Sequence, residues 1–518
     1  MPLSTQSTTA LRCGFQNFVD QASPVACKVV FGVVPEWLRN SALYRTSPGM
    51  FDIPSLDPKA KHETIRHWFD GLGVMHQFNI RSDGSVRYHN KLIATGALEA
   101  IQAGANPILF GPPLDPCVSI FGKVAAMINT VVFSPHAKPE ASNLNVTVSK
   151  MPHSLVPNTV AVKSDFNMLQ LVDADTFETK RFVKYSAYDD RLGGAVSAAH
   201  EEYDPVTDTY FNLNIDFMGN HTAIFSLDSS GAVREAVIHT PRDRPVSYIH
   251  SFSSTTKYLV LTTPPAFVNG LKVLYEHSYS QALTWQREKQ CLFYVVDRAT
   301  MTHVATFEST DAFFFFHSVN AFDDGDDIVL DMIHHTDMDI IHRLNVRTIL
   351  EGSALTAPSR LARFRLRAVT SHPLEPPKAS PSFPKVELPQ LWNTPSSVVE
   401  LPTINERYRH NSQYRFVYAV GTNSPHAAFF EGVVKMNLDT GEEVWWLAGD
   451  GQFVGEPIFV PHPQAEHEDD GVLLSVVLDG IANQSHLVVL NARDLSVVAK
   501  VASPVVVPLG FHGMHTAK

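Results

Sequence analysis

Short runs rich in Val, Ile, Phe, Tyr and Thr recur along the whole chain, among them 145–149, 258–263, 328–333 and 472–478, with turn-forming residues between them. β-branched and aromatic side chains suit a pleated, half-buried surface, so the pattern predicts an all-β fold. One element repeats within it: an apolar run ends in Asp or Asn, a few turn residues follow, and a second apolar run begins. The copies end at Asp173, Asp228, Asp297, Asn345, Asn437 and Asn491. Asp and Asn cap turns by hydrogen-bonding nearby backbone, so each copy predicts a hairpin.

These anchors are spaced by 55, 69, 48, 92 and 54 residues. A four-stranded unit with its loops needs at least ~40 residues, and repetition on that scale predicts a β-propeller. Strands before the first anchor, around Gly84–His89, add a further blade, giving about seven. The widest interval contains the Pro-rich stretch 371–395, which predicts an insertion between two blades of a single domain spanning 1–518. Segment 117–133 breaks the pattern. It is apolar apart from Lys123 and Asn129 and long enough for about four helical turns. Two readings stay open for it: a buried helix capping the propeller, or a patch that dips into a membrane and admits a greasy substrate.

Composition narrows the partners. The chain is 44% hydrophobic and 18% charged, which is ordinary for a globular protein and excludes disorder. A net charge of −12 argues against nucleic acid, which calls for a basic face. The four cysteines, at 13, 27, 117 and 291, signal neither a disulfide framework nor a thiolate metal site, which fits a reducing, cytoplasmic compartment. No basic segment followed by an apolar run opens the chain, and no run reaches the ~18 apolar residues of a spanning helix. The expectation is a soluble or peripheral protein.

Histidine placement supplies the candidate chemistry. His200 lies 27 residues after anchor Asp173, His250 lies 22 after Asp228, His317 lies 20 after Asp297, and His512 lies 21 after Asn491. In a propeller the strand after an outer hairpin is the innermost strand of the next blade, so these four residues face the central channel and can converge. His250 and His317 sit in apolar contexts where an unpaired imidazole is costly. Four neutral imidazoles suit Fe, Zn, Cu or Ni. Metal-bound histidines normally donate their other N–H to a carboxylate or carbonyl, which draws attention to Asp165, Glu400 and Glu456, acids within apolar runs.

At these residues the chain resembles the carotenoid cleavage oxygenase family, which includes β-carotene oxygenases and the retinoid isomerohydrolase of the visual cycle. The similarity runs nearly end to end, through Pro35–Leu38, Leu43–Gly49, His67–His76, Asp115–Phe121, Phe313–Asp324, Leu401–Asn405, Glu456–Pro463 and Phe511–Gly513. Asp115–Phe121 looks closer to animal-type members than to plant ones. The resemblance implies a seven-bladed β-propeller with a helical and loop cap over its top face. It further implies one Fe(II) held by His200, His250, His317 and His512, carboxylates Asp165, Glu400 and Glu456 behind them, and a membrane-facing tunnel mouth around 117–133. Two departures stand out. Thr46-Ser47 replaces the usual Asn-Gly, and Asp165 replaces Glu, so its hydrogen bond to a histidine is expected to be longer or water-bridged.

The activity implied is oxidative scission of one C=C bond of a carotenoid or apocarotenoid, with O2 and a lipophilic polyene as partners and aldehydes, such as retinal, as products. Phe313–Phe316 suits either a polyene tunnel or core. Three rivals remain: a stilbenoid-cleaving oxygenase, where Lys is expected beside the carboxylate but Ser164 stands here with Lys163 one further away; a retinoid isomerohydrolase; and a propeller that only binds a partner.

Overall fold

Alternating strands and Asx-capped turns build the architecture. The computed structural model describes residues 5–56, 62–114, 139–150, 158–217, 219–241, 243–353, 355, 357–372, 382–387, 389–392, 398–424 and 427–517. Segment 117–133, for which a cap or membrane patch was expected, therefore lies outside the described residues, as does most of 371–395. Seven antiparallel sheets of four or more strands form the blades of a β-propeller. Their innermost strands are Gly513–Ala517 in blade I, Thr147–Lys150 in II, Glu202–Asp204 in III, Ser253–Ser254 in IV, Ser318–Asp324 in V, Val398–Thr403 in VI and Ile458–Pro461 in VII.

Five of the six expected anchors close the hairpin between the third and fourth strands of a blade. The Asp173 carboxylate accepts from the N–H of Asp175 and Thr176 at 3.0 Å each, and Asp228, Asp297, Asn437 and Asn491 accept similarly. Four residues after the anchor the chain turns left-handed, at Phe177 (φ 58°), Met301 (φ 53°), Leu495 (φ 60°) and Gly441 (φ 74°). A left-handed non-glycine residue costs ~1–2 kcal/mol. Burying the side chains of Phe177, Met301 and Leu495 offsets this, since a fully buried apolar side chain contributes ~1.5–3 kcal/mol.

The sixth anchor is a correction. Asn345 is no hairpin residue; its side chain accepts from the N–H of Arg347 at 3.1 Å and caps the helix Val346–Leu350. Asn satisfies a turn and a helix N-terminus by the same hydrogen bond, so the local pattern reads identically for both. The Pro-rich stretch is a second correction. It leads from the third strand of blade V, Ser359–Leu366, to the fourth, Gln390–Leu391, which pair through Ala362 with Leu391 and Arg363 with Gln390. The insertion thus lies within one blade, and its described part bonds along the outer strand of blade IV, where the Val386 N–H donates to the Glu308 carbonyl at 2.8 Å.

The ring is closed by both ends of the chain. Gly513–Ala517 pairs with Ser41–Met50 to complete blade I, while Lys28–Gly32 adds an outer strand to blade VII beside Val497–Ala502. Connections between second and third strands, and between blades, emerge on one face. There the helices Thr95–Gln102, Gly270–Glu276, Tyr279–Ala282, Asp339–Arg343 and Val346–Leu350 form the cap. Their apolar residues join the largest core cluster, which runs from the cap into the propeller axis.

Candidate metal centre

Each of the four sequence-selected histidines lies one to three residues before an innermost strand: His512 before blade I, His200 before III, His250 before IV and His317 before V. The channel offset read from the repeat thus places all four where innermost strands begin. Backbone hydrogen bonds lock neighbouring positions together. The His200 N–H donates to the His250 carbonyl at 3.2 Å, and that of His512 to the Val146 carbonyl at 3.3 Å. One ring nitrogen from each of the four lies within 4.8 Å of the others, and His250, His317 and His512 are buried.

The remaining blades bring the three acids. His317 Nδ1 is 2.5 Å from Glu400 Oε2 in blade VI, and His512 Nδ1 is 2.7 Å from Glu456 Oε1 at the start of blade VII. Leu401 is left-handed (φ 51°) at a register shift between Glu400 and Thr403, a bulge that re-aims the glutamate. Asp165 comes from the turn after Thr159–Lys163 in blade II rather than from within a strand. It reaches His250 Nδ1 directly at 3.0 Å, longer than either glutamate contact, as its shorter side chain leads one to expect. The Tyr248 hydroxyl donates to Asp165 at 2.7 Å and the Ala199 N–H at 3.2 Å, which hold the shorter carboxylate in place. Among the described residues no carboxylate pairs with His200.

Three Nδ1 atoms thus donate to carboxylates, which leaves the Nε2 lone pairs of those rings directed at one point. His512 Nε2 stands 3.1 Å from the Nε2 atoms of both His200 and His317. For His317 and His512, whose Nδ1 protons go to carboxylates, the facing Nε2 lone pairs repel at that separation unless they share a cation. Donors ~2.1 Å from one ion and at right angles to each other lie ~3 Å apart, so the arrangement fits a metal. Protonation does not compete for the ring nitrogens of His200 and His317 at neutral pH. Burial, with the three neighbouring imidazoles, holds His200 well below the ordinary histidine range, and burial brings His317 down to about 4 against the pull of Glu400. Burial alone would raise Glu400, but His317 and His335 outweigh it and keep the carboxylate ionised.

Sequence reasoning missed three supports. His335 Nε2 lies 2.6 Å from Glu400 Oε1, so the glutamate bridges two histidines. His335 sits on the second strand of its blade and shares no offset with the quartet. Tyr248 precedes His250 by two residues, a spacing that puts both on one strand face and could have been noticed. Arg45, buried in the Leu43–Gly49 motif, donates to the carbonyls of Glu456 at 3.1 Å and Phe511 at 2.9 Å, fixing the backbone on either side of the His512–Glu456 pair.

An apolar approach leads to the histidines. A small cleft of about 40 Å³ over His250, His317 and His512 is walled by Trp68, Phe316, Leu344, Phe430 and Phe511. It shares Phe69 and Val146 with a cavity of about 470 Å³ lined mainly by cap residues, including Ile101, Ile108, Leu109 and Phe110. The Phe313–Phe316 run resolves by strand alternation. Phe314 and Phe316 belong to the axial cluster, whereas Phe313 and Phe315 pack in a separate cluster between blades IV and V. Among the described residues, no helix is long and apolar enough to cross a membrane.

Residues 15–517 match the family described as retinal pigment epithelial membrane protein. A carotenoid dioxygenase of Neurospora crassa is 29% identical over 97% of this chain and 90% of its own length. A torulene dioxygenase of Fusarium fujikuroi is 30% identical over 93% and 90%. In fold, a mutant of the Synechocystis apocarotenoid oxygenase superposes with a TM-score of 0.78 at 21% identity, covering 99% of both chains. The chain belongs to the retinal pigment epithelial membrane protein family, the carotenoid cleavage oxygenases.

Proposed function

We propose that His200, His250, His317 and His512 hold a single Fe(II), and that this protein is a dioxygenase that cleaves a C=C bond of a carotenoid or apocarotenoid to two aldehydes. The observation that carries the reading is the convergence of four imidazole nitrogens, three backed by carboxylates, at the inner end of an apolar cavity. Relatives named as carotenoid and torulene dioxygenases support the substrate class. When bound, the iron supplies O2 activation beside the conjugated chain. The four histidines would hold the iron as neutral ligands and add no negative charge to it.

The chain's own residues do the rest. Asp165, Glu400 and Glu456 fix the ring orientation and tautomer of three histidines, so their Nε2 atoms stay available. Phe69, Phe316 and Phe511 exclude water and align a flat polyene against the site. Among the described residues no ionisable side chain other than the histidines and Glu400 lines the cleft, and Glu400 is held by two histidines, so no acid or base is assigned to bond scission. Lys163, which bears on a stilbenoid substrate, pairs instead with Glu201 and does not line the cavity. A polyene dissolves in membranes rather than water, so the reading includes a peripheral membrane location, which vesicle flotation tests.

Iron-loaded protein incubated with β-carotene, apocarotenals and resveratrol under O2 gives apocarotenal or retinal products, identified by mass. O2 uptake equal to the bonds cleaved accompanies them. Absence of cleavage of every polyene, or retinol formation without O2 uptake, contradicts the assignment.

A further inference from the structure

The cavity of about 470 Å³ is mainly apolar, so its polar side chains can be accounted for one by one. Asp70 accepts from the N–H of Phe110 at 2.7 Å and of Gly111 at 2.8 Å. Asn143 and Asn145 donate to backbone carbonyls of the 69–71 turn. Tyr248 and Asp165 are tied to each other. With the half-buried Ser142 set aside, two side chains stand apart. The Asn106 Oδ1 is buried with no hydrogen-bond partner. Tyr279 is only 8% exposed and lines the same cavity, and its hydroxyl has no hydrogen-bond partner among the described residues.

Their placement is not accidental. Segments 106–110 and 277–280 run as a short parallel ribbon along the cavity wall: the Leu109 N–H donates to the His277 carbonyl at 3.1 Å, and that of Tyr279 to the Leu109 carbonyl at 2.9 Å. At the Asn106 end, His277 Nδ1 donates to the Asn106 carbonyl at 2.9 Å, which fixes the backbone and leaves the side-chain amide free. At the other end, Phe110 packs against Phe69 and Tyr248, beside His250. Four residues of extended chain span ~13 Å, so the unpaired amide marks the part of the wall remote from the histidines and Tyr279 lies between. A buried polar atom left unpaired is rare in native proteins, and Asn106 Oδ1, on the same cavity wall as a Tyr279 hydroxyl that bonds to no protein group among the described residues, points to a ligand that supplies the partners. A hydrocarbon offers none. An alcohol both donates and accepts, and so satisfies Asn106 whichever way its amide is turned.

We propose that Asn106 and Tyr279 bind an oxygen function on the polyene, so that the protein selects oxygen-terminated apocarotenoids over hydrocarbons of the same length. The inference rests on the polyene-cleaving reading of the site above, and it makes the two residues determinants of specificity rather than of chemistry. Burial raises the Tyr279 phenol, with the Asp165 charge adding to it, so the hydroxyl remains a donor across the physiological range.

The test is anaerobic equilibrium binding, read by quenching of protein fluorescence in the full-length metal-loaded protein. The probes are β-apo-8'-carotenol and the hydrocarbon in which its terminal CH2OH is CH3. One or two hydrogen bonds predict that the alcohol binds about 10-fold tighter. Tyr279→Phe and Asn106→Leu are each expected to shrink that ratio about 3-fold. A ratio near one in the unmodified protein, or a ratio unmoved by both substitutions, overturns the proposal without requiring either variant to be active. Admitting O2 afterwards separates it from the cleavage reading. Selective binding without cleavage upholds Asn106 and Tyr279 and removes the dioxygenase, whereas cleavage of both probes with equal affinity does the reverse.

Discussion

Glu400 joins two histidines from different strands, and its removal tests the carboxylate shell most sharply. Supporting carboxylates of this kind typically contribute 10–100-fold in metal affinity or activity. Glu400→Gln is therefore expected to lower iron retained after dialysis against chelator by at least about 10-fold. His335→Leu, which removes only the second partner of Glu400, should lose less; equal or greater loss would mean that His335 itself touches the metal. Asp165→Glu restores the side chain usual in the family and tests the 3.0 Å contact to His250. With Tyr248 already holding Asp165, the longer side chain must displace that hydroxyl or buckle, so activity is expected to fall rather than rise. Much at this scale was legible. The quartet was visible because four blades repeat one offset, and Glu400 and Glu456 because acids in apolar strands need partners. His335 was not, since its importance depends on which strand faces the axis, a property of packing and not of spacing, whereas Tyr248 was signalled only by its two-residue spacing from His250.

At the scale of elements, the cap is fastened to the propeller by small polar staples. His67 donates from Nε2 to the Ile341 carbonyl at 2.8 Å and accepts from the Phe69 N–H at Nδ1. Only the neutral ring can do both, and burial lowers its pKa from 6.5 to about 4. Between these values the unfolded chain binds the proton and the folded chain does not, so stability falls as pH drops from 6.5 towards 4 and stops falling below that. The difference amounts to at most ~3 kcal/mol. Thermal melts across this window should show a shallower acid slope for His67→Gln than for the unmodified protein, and parallel slopes would refute the staple. The phenylalanine run offers a second test. Phe313→Ala removes a ring between blades IV and V and should cost ~3–5 kcal/mol in stability with little change in kcat for molecules that remain folded. Phe316→Ala opens the cleft beside His317, and steady-state kinetics should show kcat/KM falling well beyond any loss of folded protein. Sequence periodicity showed that these residues were buried, but not which cavity or core each one faced. Asn345 failed for a related reason, because one Asx hydrogen bond serves two kinds of element.

The whole molecule is a ring in which every blade contributes to one point: blades I, III, IV and V supply histidines, and blades II, VI and VII supply carboxylates. Such a site exists only when the ring is closed. Deleting Gly513–Ala517 removes the innermost strand of blade I together with its pairing to Ser41–Met50. The expected product is aggregated or expanded protein on size-exclusion chromatography, not a stable open ring. The Pro-rich stretch leads into Gln390–Leu391, the outermost strand of blade V and so far from the axis in the order of strands. Shortening it should therefore leave metal content unchanged. The repeat made the ring readable because hairpins recur at blade spacing. The placement of the insertion was not readable, since a long gap between anchors looks the same inside a blade as between blades.

The central claim is that four histidines hold one iron, and X-ray absorption at the iron edge of the Fe(II)-loaded protein tests it most directly. The account predicts one iron per chain with a first shell that includes four nitrogen scatterers at ~2.1 Å and the multiple-scattering pattern of imidazole, reduced in His317→Ala. A shell dominated by oxygen or sulfur, or one unaltered by that substitution, would contradict it.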